Sequence, residues 1–146
     1  MLKLACILIA ALGLAFGFAP RRDIRTEIAI SAPPARVWAV LTDTGAYPEW
    51  NPETVLTGDL MPGSVIENRV GHGQEQRVFR PTVLVARTGR ELRWRGHILV
   101  PRLFDAEHYF LLRPEGTATI FTQGERFRGV ALWFFDVAER YPASRP

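Results

Sequence analysis

Three polar side chains, His108, Gln123 and Glu125, stand where the alternation of two adjoining segments asks for apolar ones. In the first segment Phe104, Ala106, His108, Phe110 and Leu112 share one face, with Asp105, Glu107 and Tyr109 on the other. In the second, Thr119, Phe121, Gln123, Glu125 and Phe127 share a face, with Arg126 and Arg128 opposite. A few polar groups among aromatic walls is the pattern of a small-molecule site, because apolar surface supplies affinity and polar groups fix orientation. Trp94, His108, Phe110, Phe121, Gln123, Glu125 and Phe127 form the predicted ligand-binding set. No inward Lys or Arg accompanies Glu125, so burial would raise its pKa and suit it to general acid or base work. With His108 as its partner, these two are the catalytic candidates. Two plainer readings stand beside this one. His108 and Gln123 could bond each other as a satisfied core pair, and Glu125 could sit in water at a pocket mouth.

Strict alternation over eight or more residues predicts half-buried strands, and the Pro114-Glu115-Gly116-Thr117 link predicts a hairpin between them. A turn centred on Glu115-Gly116 brings Phe110 to Phe121, His108 to Gln123 and Phe104 to Phe127, with Asp105 opposite Arg126 outside. A turn at Thr88-Gly89 likewise pairs Val85 with Leu92, Val83 with Trp94 and Phe79 with Ile98. Pro101 then breaks the chain before Phe104, and a short link sets Trp94 beside His108, Arg95 beside Glu107 and His97 beside Asp105. Pro81 cannot donate to a ladder and predicts a bulge or sheet irregularity. Thr54–Thr57 and Ser64–Val70 read as strands flanking a Met61-Pro62-Gly63 turn.

Earlier, Arg25–Ile30 alternates as a strand. Ser31-Ala32-Pro33-Pro34 stops it and starts a helix, whose apolar face is Val37, Trp38 and Leu41. Thr42-Asp43-Thr44-Gly45 ends that helix, and a second short turn over Ala46–Trp50 leads to Asn51-Pro52. Trp50-Asn51-Pro52 reads as a structural corner, and Trp38 and Trp50 as core. Leu4 to Ala19 is an unbroken apolar run of 16 residues with Lys3 before it and Arg21, Arg22 and Arg25 after it. It predicts an uncleaved single-pass membrane anchor, and the heavier positive flank places the domain on the cytoplasmic side, with a periplasmic or secreted location as the alternative. Residues 1–22 are thus set apart from a domain over residues 23–146.

Composition narrows the chemistry. The chain has 146 residues, 47% of them hydrophobic, enough for one domain with a core. Its net charge is +3, carried almost wholly by arginines that alternate along strands among acids, so no nucleic-acid partner is expected. Cys6 is the only cysteine and His72, His97 and His108 lack ligand spacing, so no metal is expected and no cofactor. Gly71-His72-Gly73 is too short for a dinucleotide fingerprint, and no Gly-x-Ser-x-Gly or phosphate loop occurs.

The run from Ile30 to Asp43, followed by Tyr47-Pro48-Glu49-Trp50-Asn51-Pro52, resembles the opening of the SRPBCC superfamily, which includes START-like, Bet v 1-like and polyketide cyclase-like proteins. Phe79–Leu84, Glu91–Trp94, Glu107-His108 and Gln123–Phe127 resemble its bacterial members in the same order. The likeness covers residues 25 to about 135. It implies an α+β helix-grip fold: a curved antiparallel sheet, two short N-terminal helices and a C-terminal helix. It also implies a cavity for a small apolar ligand such as a lipid, isoprenoid or polyketide-like molecule. A cyclase-like or hydrolase-like enzyme and a co-chaperone-like module using the outer arginine face are the other expectations. Val130–Tyr141 reads as an apolar helix that Pro142 cuts short. Its surplus of apolar side chains, Trp133 and Phe135 among them, predicts contact either with a membrane or with a second copy, the latter making a homodimer.

Overall fold

The computed structural model describes residues 17–134. Strand β1 (Arg21–Ile30) runs to the Ser31–Pro33 break, and α1 (Pro34–Thr42) follows with a proline in its first turn, where a missing N–H leaves no carbonyl unpaired. Val37 and Leu41 are its buried face. Asp43 then accepts the Ala46 N–H at 3.3 Å and shapes a tight 3-10 turn, from which α2 (Tyr47–Trp50) departs. The remaining strands are β2 (Thr54–Thr57), β3 (Glu67–Val70), β4 (Arg77–Phe79), β5 (Thr82–Arg87), β6 (Glu91–His97), β7 (Asp105–Glu115) and β8 (Ala118–Arg128). They form a five-stranded sheet in the order β1-β8-β7-β6-β5 and a three-stranded sheet in the order β2-β3-β4. This is the expected α+β class, an antiparallel curved sheet with two short helices.

Pro81 is where one sheet gives way to the other. Residues 79–85 read as one strand in sequence, but Phe79 closes β4 and Thr82 opens β5. Phe79 accordingly pairs with Asn68, not Ile98. Pro81 has no N–H to offer a ladder, while its carbonyl accepts the Ile66 N–H at 3.0 Å. The β5–β6 ladder holds Val83 opposite Trp94 as expected, then slips, so that Val85 faces Arg93 and Ala86, in place of Val85, faces Leu92. The slip is a β-bulge that inserts one extra residue into β5.

Two compact units emerge from the contacts. In the first, residues 25–96 and 107–125, Val37, Leu41 and Tyr47 from the helical segment share a core with Leu56, Ile66, Val83, Leu92, Trp94, Phe110 and Leu112. Each such side chain contributes about 1.5–3 kcal/mol by leaving water. Outside, Arg93 bonds both Glu91 and Glu107, the latter at 2.8 Å, and covers the Tyr109 ring. Arg93, not Arg95, is therefore the partner of Glu107. The described part of the second unit holds residues 17–24, 97–106 and 126–134. Phe127 and Leu132 are its buried centre, with Ile24, Phe104 and Ala106 around them. Arg126 bonds Asp23 at 3.2 Å, whereas Asp105 accepts the Arg102 N–H at 2.9 Å.

The membrane anchor expected over Leu4–Ala19, and with it the single-pass cytoplasmic-side location, is corrected. Among the described residues no helix is long and apolar enough to cross a membrane. Residues 4–16 of the run lie outside the described residues. Its described end turns at Phe18, buries Ala19 and passes into β1, so Arg21, Arg22 and Arg25 are strand residues. The helix expected over Val130–Tyr141 lies largely outside the described residues; its described portion, Val130–Trp133, is a 3-10 turn.

Gly129 sets the chain's path between β8 and that turn. Its φ is 155°, and a Cβ there would lie 2.2 Å from the Leu103 carbonyl oxygen and 2.8 Å from Phe104 Cα. Both obstacles are backbone, so no side-chain rotation relieves the clash. Gly129→Ala is expected to destabilise the protein by more than about 3 kcal/mol. Gly116→Ala, at φ 59° with nothing within 4 Å, should cost only about 1 kcal/mol. Chemical denaturation of both variants compares the two directly; equal losses would refute the close-approach argument.

Candidate functional site

Strand alternation carries His108 of β7 to the same face as Trp94 of β6, and the two rings stack 5.3 Å apart at an interplanar angle of 11°. Phe110 meets His108 at 4.7 Å and Trp94 edge-on at 5.4 Å. Phe121 of β8 lies 5.8 Å from Phe110, the ring contact that the register predicted. Trp94 and Phe110 are buried, Phe121 is partly so, and His108 keeps limited exposure. The result is a continuous aromatic surface across three strands with one imidazole set into it.

The other expected site residues distribute differently. Gln123 is exposed, and no hydrogen bond joins it to His108 among the described residues. The satisfied-pair reading of these two therefore has no bond to rest on. Glu125 is partly buried on β8, without a cation partner among the described residues. Phe127 packs in the second unit against Phe104, with ring centroids 5.6 Å apart. Among the described residues no group of three or more His, Cys, Asp or Glu side chains could hold a metal ion.

Tyr47 is a residue that the sequence reading passed over as part of a turn. It is 2% exposed, belongs to the same core cluster as Trp94 and Phe110, and its ring lies 4.5 Å from that of Trp50. Its hydroxyl is buried with no hydrogen-bond partner among the described residues, and burial pushes its pKa well above the usual tyrosine range. A tyrosine at the start of a four-residue helix leaves no periodic signal from which this placement could be read.

Burial acts on the two titratable candidates in opposite directions, because it disfavours whichever form is charged. Desolvation brings His108 down to about 4 and pushes the Glu125 carboxyl above the usual carboxylate range. His108 is therefore a neutral imidazole at pH 7. Its depressed pKa makes stability fall with acidification: between about pH 6.5 and 4 the unfolded chain takes up a proton that the folded chain refuses. Glu125 contributes with the other sign, favouring the fold at low pH and losing that contribution as pH rises through its raised pKa. At about 1.4 kcal/mol per pH unit, the His108 effect has a ceiling of about 3 kcal/mol, reduced by the ring's residual exposure. His108→Phe is expected to flatten the decline in stability from pH 6.5 to 4 while leaving stability above pH 7 little changed. Urea melts at several pH values measure this, and an unaltered slope would show that His108 is not the titrating group.

Similarity to known proteins follows the same geometry. The family described as polyketide cyclase/dehydrase and lipid transport matches residues 21–143. No curated protein matches the chain in sequence. Among solved structures, the Mll3558 protein from Rhizobium loti is similar at a TM-score of 0.66 and 15% identity, over 87% of this chain and 92% of that one. Norcoclaurine synthase from Thalictrum flavum, in complex with dopamine and hydroxybenzaldehyde, is similar at 0.66 and 11%, over 87% and 80%. The Zhui aromatase/cyclase from a Streptomyces species is similar at 0.60 and 18%, over 74% and 68%. At such identities these likenesses establish the shared Bet v 1-like helix-grip fold and nothing finer. With most of its length matched and the fold in agreement, the chain belongs to the polyketide cyclase/dehydrase and lipid transport family of the SRPBCC superfamily.

Proposed function

We propose that the aromatic face of β6, β7 and β8 binds one small apolar molecule of the lipid, isoprenoid or polyketide-like class. The observation that carries this reading is a set of unpaired polar groups beside aromatic surface. His108 has no hydrogen bond among the described residues and stacks on Trp94; the Tyr47 hydroxyl is buried in the same cluster without one. Leaving a buried hydroxyl unpaired costs about 1–3 kcal/mol. A ligand carrying a carbonyl or hydroxyl would offset that cost while its apolar body covers Phe110 and Phe121. Family membership supports the same class of ligand.

A second reading is favoured by the opposed pKa shifts. Two titratable groups whose environments drive them apart make an acid and a base, here Glu125 toward the protonated form and His108 toward the neutral one. That pair would serve a cyclase-like or hydrolase-like proton transfer. A protein-interaction role for the outer arginines has less to support it. Arg87, Arg93, Arg113 and Arg126 each lie within ion-pair distance of an acid, so their own charge is locally matched.

Tyr47→Phe separates binding from folding. Removing an unpaired buried hydroxyl should stabilise the empty protein by roughly 1 kcal/mol and weaken ligand retention. Native mass spectrometry of the purified protein should show one co-purifying apolar mass per chain, with lower occupancy in the variant. An empty wild-type protein that also fails to take up a fatty acid or polyprenol would overturn the binding reading.

The proton-transfer reading is tested through Glu125→Gln, which keeps shape but cannot shuttle a proton. Turnover of a polyketide-like substrate should fall at least about a hundredfold with binding retained. Unchanged turnover would remove Glu125 from any mechanism.

A further inference from the structure

Apart from the residues of the aromatic face, a cavity lies within the first unit. It has a volume of about 480 Å³, opens to solvent, and is formed where the end of α1 meets the β2–β3 loop and the β5–β6 turn. Trp38, Leu60 and Met61 supply its apolar wall, and Asp59, Thr42 and Thr44 its polar part. Among the described residues no Lys, Arg or His lines it. This size is within the range of small-molecule pockets, which run from about 300 to 1,000 Å³.

The loop wall is held in place before any ligand arrives. The Gly63 N–H donates to the Val83 carbonyl at 2.8 Å, the Val83 N–H donates to the Ser64 carbonyl at 2.9 Å, and the Ser64 N–H closes the loop onto Met61 O at 3.0 Å. Gly58, at φ 110°, gives the loop a backbone conformation that a side chain would strain. The Thr42 hydroxyl donates its only proton to the Trp38 carbonyl at 2.8 Å, so toward the cavity it can only accept. Asp59 is exposed on the rim and makes no ion pair among the described residues. An indole, an uncompensated carboxylate and an acceptor hydroxyl all favour positive charge, the indole because its ring face attracts cations.

We propose that this cavity is a binding site for a small organic cation, an ammonium group on an apolar body. The ammonium lies against Asp59 and the face of Trp38, while the body rests on Leu60 and Met61. The site is independent of the aromatic face, and binding here does not require that face to hold a ligand.

The test uses the full chain and three matched probes: benzylamine, benzyl alcohol and benzoate at pH 7, followed by amide and indole NMR shifts. Benzylamine should shift the Trp38 indole N–H and the amides of Asp59 and Met61, with benzyl alcohol weaker by about fivefold and benzoate weaker still. Asp59→Asn should weaken benzylamine by a similar factor and leave benzyl alcohol and thermal stability unchanged. Equal binding of amine and alcohol would overturn the proposal. So would benzylamine shifts confined to Trp94, His108 and Phe121, or an Asp59→Asn variant that binds the amine normally.

Discussion

An imidazole buried against an indole is the constraint around which the first unit is arranged. His108 occupies an inward position of β7, so the strand cannot turn it to solvent without turning Ala106, Phe110 and Leu112 with it. The ring consequently stays uncharged, stacked on Trp94 and touched by Phe110. An uncharged imidazole keeps one donor and one acceptor nitrogen. The aromatic face thus gains a polar point without gaining a charge, which suits a ligand that is mostly apolar.

The other face of the same strands handles charge differently. Arg93 stands between Glu91 and Glu107 and lies over the Tyr109 ring at 5.8 Å. These side chains are only about one-fifth exposed, so the pair interactions are less screened than those of open surface. The arrangement is incomplete, because Arg93 Nε is buried without a hydrogen-bond partner among the described residues. Its guanidinium nonetheless stays firmly protonated, since both carboxylates oppose the effect of burial. At this point of the sheet the arginine charge is matched by the acids on either side.

Irregularity in the sheet changes which residues border the Asp59 cavity. Pro81 ends the β4 run and the bulge in β5 shifts the following pairs by one, which brings Ala86 opposite Leu92. Ala86 then lines the Asp59 cavity. The bulge thus changes which residues face each other, and the residue it sets opposite Leu92 is one that borders the cavity.

Much of the positioning was legible in sequence because a strand's side-chain period of two leaves little choice of face. Trp94, His108, Phe110 and Phe121 were assigned to one surface from alternation, and their rings meet there. The Val83–Trp94 pair followed from the turn between them. Proline chemistry marked the start of α1 and the break at residue 81 for the same reason, a missing N–H. Tertiary structure alone decided the matters that depend on distant chain segments. The bulge replaced Val85 with Ala86 opposite Leu92, Asp23 rather than Asp105 took Arg126, and Leu132 joined the Phe104–Phe127 pair that the hairpin register predicts. Burial of the Tyr47 hydroxyl and exposure of Gln123 also lay beyond pattern reading, since neither follows from local periodicity. Alternation tells which way a side chain points; what it meets there is set by elements remote in the chain.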